Sequence, residues 1–489
     1  MMSALDCKKM WPKAFNFRCV LLSALCFFLI SNSFSQNPTP TPERDPEIVS
    51  LLASAQLAAP ELAADTFLKV AASKRVTDSA WRKEILEQAS QLIQQVKYPV
   101  RKHVSLFGVQ VDSVSGYMTY AYDQELDALS LKSRLIKQVL AVDRPRAKQI
   151  VFEIGGNLNL RPLSCEDSLA YDVADIYRAV GDVAKVAFSK KEINEGVRAV
   201  FLLPWIENIQ SPAQITPIIK LLREIESSFQ ERQMLGNALT LSINRNFHDD
   251  RSFTYALAGD RLLEVLAVYI SYYSVNEKVD FRPSVRDFLA KNFTSSRCLD
   301  NKPRKNELPE FVGTANSLLY RGLQPFVLDD FDSVEYKGIP EMRYYLRSKM
   351  AIKFDQTFRS ARDAKNAPDN RVDAATQQEW ELKVSQMLED LDSWKESDEE
   401  SEIEVFNQKC VAYRALTAEV APGPLKTIVL RRFVRYLADS PVQKQSFIEW
   451  LNHVSWLIRL EPRLFSTLCR EIPNLNFRVL TDMQTIRIK

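Results

Sequence analysis

The chain contains little glycine: 12 of its 489 residues, about a third of the average share of ~7%. Glycine supplies positive φ angles and lets the backbone approach a ligand closely. Its scarcity disfavours β-rich folds with many tight turns, and it disfavours loops that cradle phosphates. From Pro46 onward, apolar residues recur instead at helical spacing. The sequence therefore predicts an all-α fold.

The helical period is clearest in two neighbouring segments, 61–72 and 81–96. In the second, Trp81, Ile85, Ala89, Leu92 and Val96 recur at spacings of three or four and form one apolar stripe. Two helices joined by a short turn must bury their stripes against each other and against a neighbour. We therefore predict irregular stacked helical pairs, as in an α-solenoid or a tetratricopeptide-like array, although no fixed period of about 34 residues is found.

Further helices are predicted over 125–142, 145–154, 164–180, 189–204, 261–275, 342–364, 374–394, 403–420, 424–438 and 446–460. Ser189 and Glu192 have the form of a capping box, and Thr216 is predicted to cap a helix that starts with Pro217. The apolar segment 261–275, capped by Asp260, is expected to be buried on most sides. One short strand pair is possible within 477–488, and residues 103–122 form either a hairpin or an irregular loop.

The N-terminus has the pattern of an export signal. Residues 1–18 are basic, and Cys19–Ile30 is an apolar run, shorter than the ~20 residues that cross a bilayer. We predict a signal peptide over 1–35 with cleavage before Gln36, and therefore a periplasmic or extracellular protein with no stable transmembrane segment after cleavage. An uncleaved anchor and a buried core helix are the alternatives.

The rest of the chain is predicted to contain a proline-rich spacer and two folded domains. The spacer covers residues 36–46, and helical domains cover 47–300 and 311–489, with the polar segment 298–310 as the boundary. Formal net charge is +2, of which residues 1–35 contribute +3. The remainder is close to neutral and exerts no long-range attraction on nucleic acid, so no nucleic-acid partner is expected.

Four cysteines lie outside the predicted signal peptide: Cys165, Cys298, Cys410 and Cys469. An even number permits two disulfides with three possible connectivities, as an oxidising compartment would allow. Buried free thiols are the alternative. No CxxC motif occurs, so the sequence gives no support for a zinc ribbon or a thioredoxin-like site.

The usual catalytic and cofactor motifs are absent from the sequence. The three histidines, His103, His248 and His453, are isolated from one another, and no HExxH, GxSxG, GxxxxGK[ST] or GxGxxG occurs. The most site-like cluster is 244–251, where His248 adjoins Asp249 and Asp250. A solvated loop between helices, with Asp250 or Ser252 as a cap, is the simpler interpretation.

Four other groups of polar residues are candidates for sites. Asp172 and Asp175 share a face of the predicted 164–180 helix, and paired carboxylates can perform acid–base chemistry. The acidic group 329–332 lacks the spacing of a calcium loop, the acidic run 396–404 suits a solvated helix start, and Asn292 fits a glycosylation acceptor only in a eukaryotic host. We predict no catalytic, cofactor-binding or metal-binding residue and no cofactor.

Several short segments carry a resemblance to known sequences. They are Leu163–Asp167, Tyr171–Val173, Trp394 with the acidic run that follows it, Phe406–Cys410, Pro422–Pro424 and Ser446–Trp450. These segments resemble a group of uncharacterised exported helical proteins of Acidobacteria-like soil bacteria, over most of the mature chain. The group has no established activity. The resemblance therefore implies export and a helical architecture, and it transfers no functional residue.

Three functions remain as hypotheses from the sequence. The first is a non-enzymatic interaction or scaffold protein of the bacterial envelope that binds a protein or peptide partner, because stacked helical pairs present extended surfaces. The second is an envelope polymer hydrolase with an α/α-toroid-like fold, which a deep pocket with two carboxylates would favour. A lipid- or pilus-associated scaffold is a third hypothesis.

Overall fold

Helices make up most of the described chain in the structure, a computed structural model, which confirms the all-α prediction. The structure describes residues 44–96, 101–103, 119–163, 169–245, 247, 249–258, 261–277, 280–293, 297–298, 307–319, 323–329, 334–337, 348–366, 374–395, 401–442 and 447–460. The predicted signal peptide, His248, Asp260, Ser446 and the possible strand pair within 477–488 lie outside these residues.

The described helices are α1 (Pro46–Ala55), α2 (Pro60–Ala72), α3 (Ser79–Ile93), α4 (Tyr120–Asp123), α5 (Ala128–Val142), α6 (Arg144–Ile154), α7 (Ala174–Val186), α8 (Lys190–Asn194), α9 (Val197–Glu207), α10 (Ile215–Glu224), α11 (Phe229–Ile243), α12 (Asp250–Ala258), α13 (Leu262–Glu277), α14 (Arg282–Phe293), α15 (Glu307–Leu318), α16 (Lys349–Lys365), α17 (Ala374–Ser393), α18 (Glu402–Glu419), α19 (Pro424–Asp439) and α20 (Phe447–Leu460). A 3-10 helix covers Pro212–Gln214, and the short strands are β1 (Arg101–His103), β2 (Leu169–Tyr171), β3 (Arg297–Cys298) and β4 (Tyr336–Lys337).

Local signals fix many of these helix ends. The Asp127 side chain begins α5 by accepting hydrogen bonds from the backbone N–H groups of Leu129 and Ser130, both at 3.0 Å. Helix α6 ends at Gly155, whose φ of 58° suits glycine. At Gly156 a side chain is also excluded by space, because a Cβ there would lie 2.5 Å from the carbonyl oxygen of Pro204. The end of α6 can therefore pack directly on α9.

The helices of the first part of the chain form a repeating pair. The first helices of successive pairs are α5, α7, α10, α13 and α15, which begin at residues 128, 174, 215, 262 and 307, so successive starts lie 46, 41, 47 and 45 residues apart. Each of these helices packs against the next one in this series. The spacing is longer than the 34 residues of a tetratricopeptide repeat and close to the ≈ 40–47 residues of HEAT and armadillo repeats.

Second helices of the pairs form another row. Helix α9 packs against α11, and α11 packs against α14. Helices α9 and α11 are parallel, because polar contacts join them at both ends. Arg198 at the start of α9 lies 2.8 Å from the Glu231 carboxylate of α11, and the Arg245 side chain beyond α11 donates to the carbonyl of Glu207 at the end of α9.

Short elements that connect one pair to the next lie against one another. Helix α12 packs against the 3-10 helix, against β2 and against β3. Strand β2 pairs antiparallel with β1, and β3 pairs parallel with β4. The connections between pairs therefore have a packed structure of their own.

The buried apolar residues form two clusters. One is built from residues between Ile48 and Phe326, and the other mainly from residues between Ala351 and Leu457, with Leu62 and Ala121 among its earlier members. Residues from Pro46 onward form one compact unit. The domain boundary at 298–310 remains a prediction.

Two predicted helix starts are wrong. The helix expected over 164–180 begins only at Ala174, because Leu169–Tyr171 is buried as a strand paired with Arg101–His103. Thr216 does not cap α10. The chain enters that helix earlier, through the 3-10 turn, where Ser211 and Gln214 form a reciprocal capping box.

Two further expectations differ from the structure, and one agrees with it. The segment 189–204 is two helices rather than one, because Gly196 adopts a φ of 77° between α8 and α9, although the capping box at Ser189 is confirmed. Helix α13 is buried on most sides over its described positions 262–272, with one exposed stripe at Glu264, Ala267, Val268 and Ser271. The end of the proposed 103–122 hairpin is helical, in α4, and β1 pairs with β2 instead.

The buried ion pair between α9 and α11 can be tested by mutation. The Arg198 and Glu231 side chains are both buried. Removing one of them leaves the other as a buried charge with no ion-pair partner. We expect Arg198→Met to lower the free energy of unfolding by about 3–5 kcal/mol. Urea denaturation measures this change in the free energy of unfolding.

Its control is the double variant Arg198→Met/Glu231→Gln, which removes the stranded charge and keeps an N3 residue that can complete the capping box at Ser228. The double variant should be more stable than Arg198→Met alone. Equal stability of the two variants would show that the ion pair does not hold these helices together.

Candidate binding surfaces

The outward side of α9 is apolar. Val197 and Val200 are exposed, Val200 by 57%, and Leu203 and Pro204 are half-buried beside them. Arg198, the one charged residue in this helix before Glu207, is buried in its ion pair with Glu231. A helix that is apolar all round is normally covered on all sides. Here one side of α9 faces solvent.

The outward side of α11 continues this surface. Its exposed positions before Arg245 are Phe229, Gln230, Met234, Asn237 and Leu241, none of them charged, and Leu241 is 75% exposed. Because α9 and α11 lie parallel in the same row, their outward stripes face the same side. We call this surface, formed by Val197, Val200, Leu203, Pro204, Met234 and Leu241, the apolar face.

Large exposed apolar patches that are surrounded by polar residues mark interaction sites. The apolar face has such a rim at one end, where Glu207 and Arg245 are exposed. Two parallel helices leave a furrow between them, and an amphipathic helix can lay its apolar stripe into a groove of that kind. The apolar face is therefore suited to a helical segment of another protein.

A cleft lies in the second part of the chain. It has a volume of about 470 Å³ and lies between the residues that follow α17, the start of α18 and the end of α19, where it is lined by Trp394, Lys395, Glu402, Lys409, Tyr436 and Asp439, among others. This volume lies within the ≈ 300–1,000 Å³ typical of small-molecule sites. Its described lining includes two cations, two carboxylates and two aromatic rings.

One wall of the cleft is held by stacked rings. The Tyr436 ring lies 5.8 Å from Phe406 and 5.7 Å from Tyr413, measured between centroids. The Lys409 ammonium lies 5.3 Å from the Tyr436 centroid, in cation–π contact. Aromatic packing therefore fixes both the ring and the cation that face the cleft.

A smaller groove of about 210 Å³ lies between α7 and α10. Its floor includes Gly181 and Thr216, and the Thr216 hydroxyl is buried without a hydrogen-bond partner. An ion pair of 2.7 Å between Lys185 and Glu224 joins the far ends of the two helices. The groove is smaller than typical ligand sites.

The described part of the cluster 244–251 is buried at three positions and exposed at Arg245. Phe247, Asp249 and Arg251 are all buried. Asp249, not Asp250 or Ser252, caps α12: its carboxylate accepts from the Ser252 N–H at 3.0 Å and also from the Ser211 hydroxyl at 2.8 Å. Burial raises the pKa of the Asp249 carboxyl, although these hydrogen bonds oppose the shift. The cluster is a structural junction between connecting segments.

The paired carboxylates Asp172 and Asp175 do not share a helix face. Asp172 precedes α7, where it accepts from the Ala174 N–H and, at 2.8 Å, from the Tyr122 hydroxyl. Asp175 forms an exposed ion pair with Arg178. Both carboxylates therefore have structural partners, and neither needs a catalytic role to account for its position.

The other acidic groups are only partly described. Asp329 is exposed, and 330–332 lie outside the described residues, as do 396–400. Glu404 completes a capping box with Ser401 at the start of α18, as a solvated helix start predicts. No group of three or more His, Cys, Asp or Glu side chains able to hold a metal ion is found within the described part of the chain.

His453 is fully buried in α20. Its Nε2 lies 3.0 Å from the Asn407 Oδ1, and Phe406 packs edge-on against its ring. Burial, with a smaller effect of the Arg414 charge, holds the pKa of the imidazole well below its usual range. A buried, neutral ring of this kind stabilises the core and is closed to a substrate. His103 lies in β1.

The cysteines differ from the two-disulfide expectation. Cys410 is a free, buried thiol, whereas Cys298 is disulfide-bonded. Two disulfides among the four predicted mature cysteines are therefore excluded. Burial raises the pKa of the Cys410 thiol well above its usual range, so this cysteine packs as a small apolar residue.

The structure defines a class of protein: a stack of helical pairs with an exposed apolar face and a separate charged cleft. Comparisons with family models, with curated proteins and with solved structures found no match. The resemblance to exported helical proteins of soil bacteria remains a prediction. Among the described helices, none is long and apolar enough to cross a membrane.

Sequence reasoning did not identify either surface. One signal was available, because nine of the eleven residues of Val197–Glu207 are apolar and leave that helix without a polar side. The cleft has no such signal, since its lining comes from three helix ends that meet only in the fold.

His453 makes the stability of the protein depend on pH. The pKa of the folded state lies below that of the unfolded state, so the stabilisation by the neutral ring is present above pH ~6.5 and is lost as the pH falls below it. Between about pH 7.5 and about pH 5.5, wild type should lose about 1.4 kcal/mol more stability than His453→Gln. Urea denaturation at both pH values measures the difference. Equal losses would show that His453 is not held neutral.

Proposed function

We propose that this is an exported interaction protein that binds a helical segment of a partner protein on the apolar face. The observation that carries this proposal is the uncharged, exposed stripe on two parallel neighbouring helices. Such residues add little to the stability of the stack, because Val200 and Leu241 remain largely exposed. Burial of apolar surface against a partner would stabilise the complex by roughly 25 cal/mol per Å².

The furrow favours a helix over an extended peptide. An extended peptide that adds to a sheet needs an open strand edge, and the strands described are only two or three residues long. A partner helix satisfies its own backbone hydrogen bonds and needs only an apolar stripe to match Val200 and Pro204 on one side and Met234 and Leu241 on the other.

Two features support export. The apolar run Cys19–Ile30 has the length of a signal-peptide core, and the Cys298 disulfide suits an oxidising compartment. We expect the protein recovered from its native host to begin at Gln36, as the mass of its terminal peptide would show. Without reductant, Cys298 should resist alkylation, whereas Cys410 should react once the chain is unfolded. A retained Met1 would contradict export.

Site-specific photo-crosslinking tests the partner. A photoreactive residue at Val200 or Leu241, introduced in the native host, should give an adduct with one partner protein. Leu382 is the matched control, because it is 70% exposed on α17 and lies outside the apolar face. Leu241→Asp should abolish the adduct formed from Val200 and change the free energy of unfolding by less than about 0.5 kcal/mol.

Other outcomes would assign the face differently. An adduct of twice the mass of the chain would show that a second copy covers the apolar face. Equal adducts from Val200 and Leu382, or an adduct that survives Leu241→Asp, would remove the proposal.

A hydrolase is the second candidate, because Glu402 and Asp439 line the same cleft. Two carboxylates that flank a bound polymer can act as acid and as base or nucleophile. Release of soluble fragments from cell-envelope polymer by the purified protein, abolished in Glu402→Gln and in Asp439→Asn, would establish this activity. Turnover that persists in both variants, or no turnover in wild type, would exclude these residues as catalysts.

A further inference from the structure

We infer that the helix bound by the apolar face lies antiparallel to α9 and α11, with an acidic residue in its first turn and a basic residue in its last turn. This geometry rests on the proposed function, and it adds a direction and a charge pattern to the partner. It is supported by the parallel course of α9 and α11 and by the charged side chains at the two ends of the apolar face.

The two helices under the apolar face favour one direction of the partner. Helices α9 and α11 are parallel, so both C-termini lie at the end where Glu207 and Arg245 are exposed, and both N-termini lie at the other end. A helix C-terminus carries partial negative charge and an N-terminus partial positive charge. A partner helix on this surface therefore has the lower electrostatic energy when its own N-terminus lies at the Arg245 end.

Charge on the apolar face is confined to its ends. In the neighbouring row, exposed charges follow the whole length of α7 and α10: Asp175, Arg178, Lys185, Lys220, Arg223 and Glu224. On α9 and α11, by contrast, no exposed residue from Val197 to Pro204 or from Phe229 to Leu241 is charged. A helix aligned with the furrow meets charged groups only at its first and last turns, so these turns decide its direction.

The Arg245 end can bind the first turn of an antiparallel helix. Arg245 donates to the backbone carbonyl of Glu207 and forms no ion pair with a carboxylate among the described residues. A guanidinium has five N–H donors, so Arg245 can also bind an Asp or Glu side chain. Lys291, which donates to the Asn244 carbonyl at 2.8 Å, is a second cation at this end. The exposed Glu207 carboxylate can accept from the backbone N–H groups that are unpaired at the start of a helix.

The opposite end has an exposed carboxylate, Glu226. Its backbone carbonyl accepts from the Arg198 side chain, which places it near the start of α9, and its side chain forms no ion pair within the described part of the chain. Glu195, before α9, is also exposed, and its carboxylate lies 3.9 Å from Lys191. A Lys or Arg in the last turn of an antiparallel partner can bind Glu226, and it also suits the negative end of its own helix.

Photo-crosslinking from both ends of α11 tests the direction. A photoreactive residue is introduced in the native host at Gln230 or at Leu241, and each adduct is mapped on the partner by mass spectrometry. The two positions lie on one exposed stripe, about 16 Å apart along the helix axis. The partner residue linked from Leu241 should precede the residue linked from Gln230 by about 11 positions. An Asp or Glu should lie about one turn before the first, and a Lys or Arg about one turn after the second.

The failures of this geometry and of the proposed function are distinguishable. The reverse order of the two linked residues would overturn the antiparallel direction and leave the helical partner in place. Linked residues only about five positions apart would indicate an extended segment, at about 3.3 Å per residue, and would overturn both. Absence of an adduct from both positions, or an adduct with a second copy of this chain, would also overturn both.

Variants test the charges at the two ends, with a synthetic peptide of the cross-linked partner segment as the probe. In fluorescence anisotropy at low salt, Arg245→Gln and Glu226→Gln in the full chain should each raise the Kd about two- to fivefold, the range for an exposed ion pair. About 0.5 M salt should remove most of this difference. Lys220→Gln is the matched control, because Lys220 is an exposed cation on α10 outside the apolar face, and it should bind as wild type does. End variants that bind like this control would overturn the charge pattern.

Discussion

The carboxylate of Asp249 joins three successive connections of the stack. It accepts hydrogen bonds from the Leu163 N–H before α7, from the Ser211 hydroxyl before α10 and from the Ser252 N–H in the first turn of α12. Burying a carboxylate is costly unless hydrogen bonds offset the lost hydration. Here three donors do so, and the connections they join set where each helical pair begins. The rows of helices, and with them the apolar face, depend on this junction.

The sequence predicts much of this architecture where a local signal exists. The helices expected over 145–154 and 403–420 are observed as Arg144–Ile154 and Glu402–Glu419. In both, a side-chain cap marks the start, at Asp143 and Ser401. Caps and apolar stripes are properties of a few neighbouring residues, so a single sequence contains them. The all-α class follows from their repetition.

What the sequence could not predict depends on contacts between distant residues. Strand β2 has a helical apolar pattern and becomes a strand only because Arg101–His103 lies beside it. The loop 244–251 is polar in composition, yet Asp249 and Arg251 are buried because other connections cover them. The cleft likewise joins Trp394 and Tyr436, which are far apart in the chain. Local sequence patterns do not show which residues are covered by distant parts of the chain.

The two surfaces differ in the interactions that could make them selective for a ligand. Between Val197 and Pro204, and between Phe229 and Leu241, exposed side chains carry no charge, so the apolar face can discriminate only by shape and by the charges at its rim. The described lining of the cleft has charges of both signs, of which Lys409 is buried, Glu402 is half-buried, and Lys395 and Asp439 are exposed. Apolar burial supplies affinity over a broad surface, whereas paired charges supply selectivity in a small one.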